Sequence, residues 1–108
     1  MAKTASQTNP LNVTRMASGT FIEDTTAVAY AITCGFTPRY VKVANETSGD
    51  WYEWFEGMAD AEAIKTIAAG TRAIITTLGI TPSASGFTIG LDLDVNVVNE
   101  QISWIALG

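Results

Sequence analysis

A chain of 108 residues, 47% hydrophobic and only 16% charged, is long enough to close one core, but it falls short of the roughly 25% charge typical of soluble domains. Six basic and eleven acidic residues give a net charge of -5 and a pI near 4.4, a balance that argues against nucleic acid as a main partner. With no histidine and a single cysteine, Cys34, neither an internal disulfide nor a Cys/His zinc cluster can form.

The opening residues, Met1 to Arg15, are polar and lack the apolar centre of a secretory signal peptide. Residues 1–20 hold Lys3 and Arg15 and no acid, so four basic and eleven acidic residues are left for the rest of the chain. Two readings fit this segment. One is a weakly basic extended arm, residues 1–19, docking on a neighbouring acidic body; the other is a disordered polar tail.

Beyond the arm the pattern is β. The longest apolar run, Ala27 to Ile32, has six residues, far below the roughly 20 of a membrane-spanning helix. It places Val28, Tyr30 and Ile32 on one face of a strand. Gly35 and Pro38 mark a turn, after which Arg39 to Val43 alternates again. Asn45 to Asp50 is a run of turn-forming residues. The aromatic segment Trp51 to Phe55 then completes a hairpin.

Residues 60–69 allow two structures. Ala61, Ile64, Ile67 and Ala68 have helical spacing with Gly70 as a terminator. Alternatively, Ile64 to Ile67 is a strand that turns at Ala69-Gly70 and returns as Arg72 to Thr77, whose Ile74-Ile75-Thr76-Thr77 is β-branched throughout. The hairpin is slightly favoured. Gly79, Pro82, Ser83, Ser85 and Gly86 read as a loop. From Phe87 the alternation predicts a strand with Phe87, Ile89, Leu91, Leu93, Val95 and Val97 on one side. Thr88, Gly90, Asp92, Asp94 and Asn96 take the other. Asn99-Glu100 turns the chain into a last strand lined by Ile102, Trp104 and Ala106. The sum is six to eight short strands, an all-β antiparallel sandwich or jelly-roll-like domain over residues 20–108.

Residues able to carry chemistry are few. Asp92-Leu93-Asp94-Val95-Asn96 opens like a calcium loop, but Val97 and Ser103 stand where an EF-hand needs glycine and glutamate. Solvated acids on a strand explain the run better than an inter-subunit cation site. Glu53, Glu56, Asp60 and Glu62 are read as solvated acids rather than a glycosidase pair. Asn12-Val13-Thr14 and Asn45-Glu46-Thr47 match the glycosylation sequon and, with no secretion signal expected, are read as chance matches. Cys34 has no histidine to act as its base and reads as a small structural residue. No cofactor, metal or catalytic group is expected, and no enzyme. In Trp51-Tyr52-Glu53-Trp54-Phe55 one parity fills the core, and the other presents aromatics on a sheet surface. That surface is a subunit interface or a sugar-stacking platform, unless a neighbouring loop buries both parities. Lys3, Arg15, Trp51, Tyr52 and Trp54 are the candidate interface residues. Arg39 and Lys42 are placed to pair with Glu53 or Glu56 across the hairpin.

The ordered string Gly35-Phe36-Thr37-Pro38-Arg39-Tyr40-Val41-Lys42-Val43, Trp54-Phe55-Glu56-Gly57-Met58, Gly79-Ile80-Thr81, Gly86-Phe87-Thr88-Ile89-Gly90 and Trp104-Ile105-Ala106-Leu107-Gly108 resembles small virion structural proteins of tailed bacteriophages. Its opening and ending are also similar to H-type lectin-like sandwiches of phage fibres. The first resemblance implies a non-enzymatic capsid decoration or cement protein. Its partners would be the major capsid protein and further copies of itself, a homo-oligomer within a larger assembly, with no direct nucleic-acid or membrane contact and a location in the virion. The second implies a carbohydrate-binding tail or fibre module.

Overall fold

A computed structural model describes residues 15–22 and 28–108. Eight strands are found among them: β1 (Met16–Ile22), β2 (Tyr30–Thr33), β3 (Tyr40–Asn45), β4 (Trp51–Phe55), β5 (Glu62–Thr66), β6 (Arg72–Ser83), β7 (Gly86–Ile89) and β8 (Gln101–Leu107). All pairings are antiparallel, and the strands form one sheet in the order β1-β8-β3-β4-β5-β6-β7-β2. The expected all-β antiparallel class is therefore present. The sheet curls into a half-barrel, so its core lies between opposite walls of one sheet.

The alternation that makes these strands also fills the interior. Val41, Val43, Tyr52, Trp54, Ala63, Ile80, Phe87, Ile89, Ile102 and Ala106 all point inward and are buried. Phe87 of β7 meets Trp104 of β8 edge to face, with ring centroids 5.5 Å apart, which ties two strands that share no ladder. The edge strands approach in the same manner. Phe21 of β1 stacks on Tyr30 of β2 at 4.1 Å with the rings 5° from parallel. Among the described residues this seam is bridged by rings and not by strand pairing.

Residues 62–66 and 72–83 resolve the open choice in favour of the hairpin. Gly70 takes a positive φ, and its N–H donates to the Ile67 carbonyl at 2.8 Å. The loop expected around Gly79 and Pro82 is instead strand. β6 pairs with β5 up to Ala63↔Ile75 and resumes at Glu62↔Ile80, so Thr76 to Gly79 bulge out and the strand continues. Gly79 is required there, because a Cβ would lie 2.5 Å from the Glu62 carbonyl oxygen. β7 likewise ends at Ile89, short of the strand expected to reach Val97. Leu93 is 84% exposed whereas Asp92, Val95 and Asn96 are buried, so the expected alternation does not hold beyond Ile89.

The arm expected over residues 1–19 divides. Residues 1–14, Lys3 among them, lie outside the described residues. Met16 to Gly19 belong to β1, which pairs with β8 in unbroken register from Met16↔Leu107 to Ile22↔Gln101. The boundary drawn between residues 19 and 20 thus falls inside a strand. Serine, glycine and threonine hid that strand from a reading based on polarity.

Candidate functional site: an apolar outer face and a locked end loop

The outer face of the sheet can be read directly from the register. One row runs Ser18, Ile105, Lys42, Glu53, Ile64 and Ile74 across six strands. The next runs Thr20, Ser103, Ala44, Trp51, Thr66 and Arg72, and a third Met16, Leu107, Tyr40 and Phe55. Ile74 and Phe55 are 64% and 45% exposed. A face of this kind is largely uncharged, and a shallow groove of about 200 Å³ runs over Lys42, Ala44, Ser103, Trp104 and Ile105.

Its few charges are engaged. The Lys42 ammonium sits 4.6 Å from the centre of the Trp51 ring, and the Arg72 guanidinium sits 5.8 Å from it. Tyr40 donates its hydroxyl to Glu53 at 2.7 Å and meets the Phe55 ring at 5.1 Å. Burial, followed by the bond to Glu53 and the charge of that carboxylate, pushes the Tyr40 phenol up to about 12. Arg39 pairs with Glu56 at 3.3 Å, as one of the cross-hairpin pairings expected from sequence.

Of the aromatic candidates, Tyr52 and Trp54 are core residues, 0% and 3% exposed. Tyr52 donates its hydroxyl to the Leu78 carbonyl at 3.0 Å. The presented parity is Trp51 and Phe55, and Trp51 is flanked by two cations. Arg15 is exposed at the start of β1, and its carbonyl accepts the Gly108 N–H at 2.9 Å.

At one end of the half-barrel, residues 90–100 form a locked loop that the sequence pattern missed. Asp92 Oδ1 accepts the N–H groups of Asp94 at 2.8 Å and Val95 at 3.3 Å, while its carbonyl accepts that of Asn96 at 2.9 Å. These local bonds offer the backbone a turn that outcompetes a strand. Lys65, on the inward row of β5, reaches both Asp92 oxygens at 3.0 and 2.9 Å and Asp94 Oδ2 at 2.6 Å. An ammonium thus lies between the two acids that resembled a calcium loop. Burial alone would lower the Lys65 pKa, but its bonds to Asp94 and Asp92 and their charges outweigh this and raise it. Asn45 anchors the loop from β3. Its Nδ2 donates to the Val95 carbonyl and to Glu100, and its Oδ1 accepts the N–H groups of Thr47 and Ser48. Its burial follows from this complete set of partners.

No known protein family, curated protein or solved structure matches this chain. Among the described residues no group of three or more Cys, Asp or Glu is arranged to hold a metal ion.

Proposed function

We propose that this chain is a non-enzymatic structural subunit of a virus particle, a decoration or cement protein that binds the major capsid protein. The observation that carries the reading is the outer face. Its rows set Ile105, Ile64, Ile74, Trp51 and Phe55 among only three charged side chains, Lys42, Glu53 and Arg72, and both of those cations lie over the Trp51 ring. A largely uncharged face with Ile74 and Phe55 exposed on it supports a protein contact. The low charge of the chain and the resemblance of its ordered Gly and aromatic positions to small phage virion proteins point the same way. Many copies on a symmetric shell gain by avidity, since each bound neighbour raises the effective concentration of the next contact. The basic N-terminal arm adds a second anchor on a neighbouring acidic subunit.

Particles that carry the chain provide the test. Replacing Ile64 and Ile74 together with lysine should leave the melting temperature within a few degrees, because both side chains face outward, and should remove the chain from the particle. Undiminished occupancy by that variant overturns the assignment of this face, and absence of the native chain from particles overturns the virion role itself. Trp51→Ala should weaken occupancy while costing at most ~1 kcal/mol of stability, whereas the buried Trp54→Ala should cost about 3–5 kcal/mol.

A further inference from the structure

Among the described residues the outer edge of β1 pairs with no strand, and it lacks the devices by which natural sheets protect an edge. Its seven residues, Met-Ala-Ser-Gly-Thr-Phe-Ile, contain no charge and no proline. Its ladder with β8 runs without a bulge from end to end. Such an edge is a template for another strand. β2, at the other edge, has only four residues and meets β1 through the Phe21–Tyr30 stack rather than through a ladder.

We propose that β1 pairs with β1 of a second copy of this chain, antiparallel about a twofold axis through Gly19. An isologous interface requires a surface complementary to itself, and this strand reads alike in both directions. With Gly19 opposite Gly19, Met16 faces Ile22 of the copy on the outer side, and Ser18 faces Thr20. On the inner side Ala17 faces Phe21, a small residue against a large one. Met16 and Ile22 are 62% and 57% exposed in the single chain, and the pairing covers both. In the sequence the strand is preceded by Arg15 and followed by Glu23 and Asp24. Antiparallel pairing therefore sets a basic flank of the sequence opposite an acidic one at each end. The product is one continuous sheet of two half-barrels, its outer faces joined.

This deepens the self-association contained in the proposed function, and it is tested on the isolated chain so that its failure leaves capsid binding open to its own experiment. Sedimentation equilibrium of the purified chain should give a concentration-dependent dimer of the 11.5 kDa protomer. The double variant Ser18→Lys/Thr20→Lys sets lysine against lysine across the axis and should raise the dissociation constant at least tenfold. Ser18→Glu/Thr20→Lys changes the same two outward positions but sets glutamate against lysine, and should dimerise at least as well as the native chain. Matching circular dichroism and melting of both variants will confirm that the fold is intact. A native chain that stays monomeric up to millimolar concentration overturns the proposal. So do an odd-numbered oligomer and equal dissociation constants for the two variants.

Discussion

Removing the Asp92 carboxylate should be among the more damaging single changes at the surface end of this domain. The carboxylate accepts the Asp94 and Val95 N–H groups and holds Lys65 through both oxygens. Asp92→Ala leaves two loop donors without their acceptor, a loss comparable to that of a helix N-cap, ~1 kcal/mol. It also leaves the Lys65 ammonium, whose side chain is 15% exposed, with Asp94 alone. Breaking a fully buried pair costs about 3–5 kcal/mol, and the remaining Asp94 partner brings the share expected here down to about 2 kcal/mol. The total is about 3 kcal/mol, a large part of the 5–15 kcal/mol that holds most domains together. In urea, with a slope near 1.5 kcal/mol per molar for a chain of this size, the midpoint should fall by about 2 M. A double-mutant cycle separates the two parts. Adding Lys65→Met to Asp92→Ala should recover the ion-pair share and leave only the loss of the loop acceptor. A cost below ~1 kcal/mol for Asp92→Ala, or a double variant no more stable than that single one, refutes the assignment of Asp92 as the lock of this loop.

Two further outcomes follow from the geometry. Gly86→Ala builds a Cβ into the Ile32 carbonyl oxygen, so β2 has to leave its ladder with β7; the cost should be about 3 kcal/mol, the upper end of overpacking, read as lower melting and new protease cleavage near β2. Native-like melting of this variant would contradict the placement of β2. In alkali, Tyr40 pushed up to about 12, Tyr52 pushed up further by its burial and Lys65 raised by its acids all hold protons that the unfolded chain releases from about pH 10. Their contribution is therefore complete below about pH 10 and is lost as pH rises through the folded values. Urea midpoints should fall between pH 9 and 11, and fall less steeply in Tyr40→Phe; a flat or rising profile would refute the sign.

Much of the sheet was legible because a half-buried strand writes itself in period two. Val41 and Val43, Phe87 and Ile89, and Ile102 and Ala106 reveal their inward face by sequence alone. The β4 segment was legible as a strand but not in its facing, since both parities are aromatic. Only the ladder with β3, Val41↔Trp54 and Val43↔Tyr52, decides that Tyr52 and Trp54 go in and Trp51 and Phe55 go out. The alternation from Leu91 to Val97 misled because it is blind to side chains that bond their own backbone, as Asp92 does. Lys65 gave no signal at all. Its partners lie 27 and 29 positions away, and a lone lysine in a strand reads as a solvated one. β1 was missed for the opposite reason: a small, polar strand looks like a tail until its partner is known.

The register of β1 sets a schedule for the growing chain. Strands β3 to β7 form a meander in which each pairs with its neighbour in sequence, so those hairpins can close soon after they are made. Of the described strands β1 is synthesised first, yet its ladder partner β8 ends at Leu107. At ribosomal speeds of about 5–20 residues per second, β1 waits several seconds, uncharged and unpaired with β8, until the last strand is complete. The uncharged, proline-free composition on which the proposed pairing with another copy rests also exposes this edge to a wrong neighbour on the polysome. Slow synthesis of the last strand should therefore lower the soluble yield of this protein more than slow synthesis of the first.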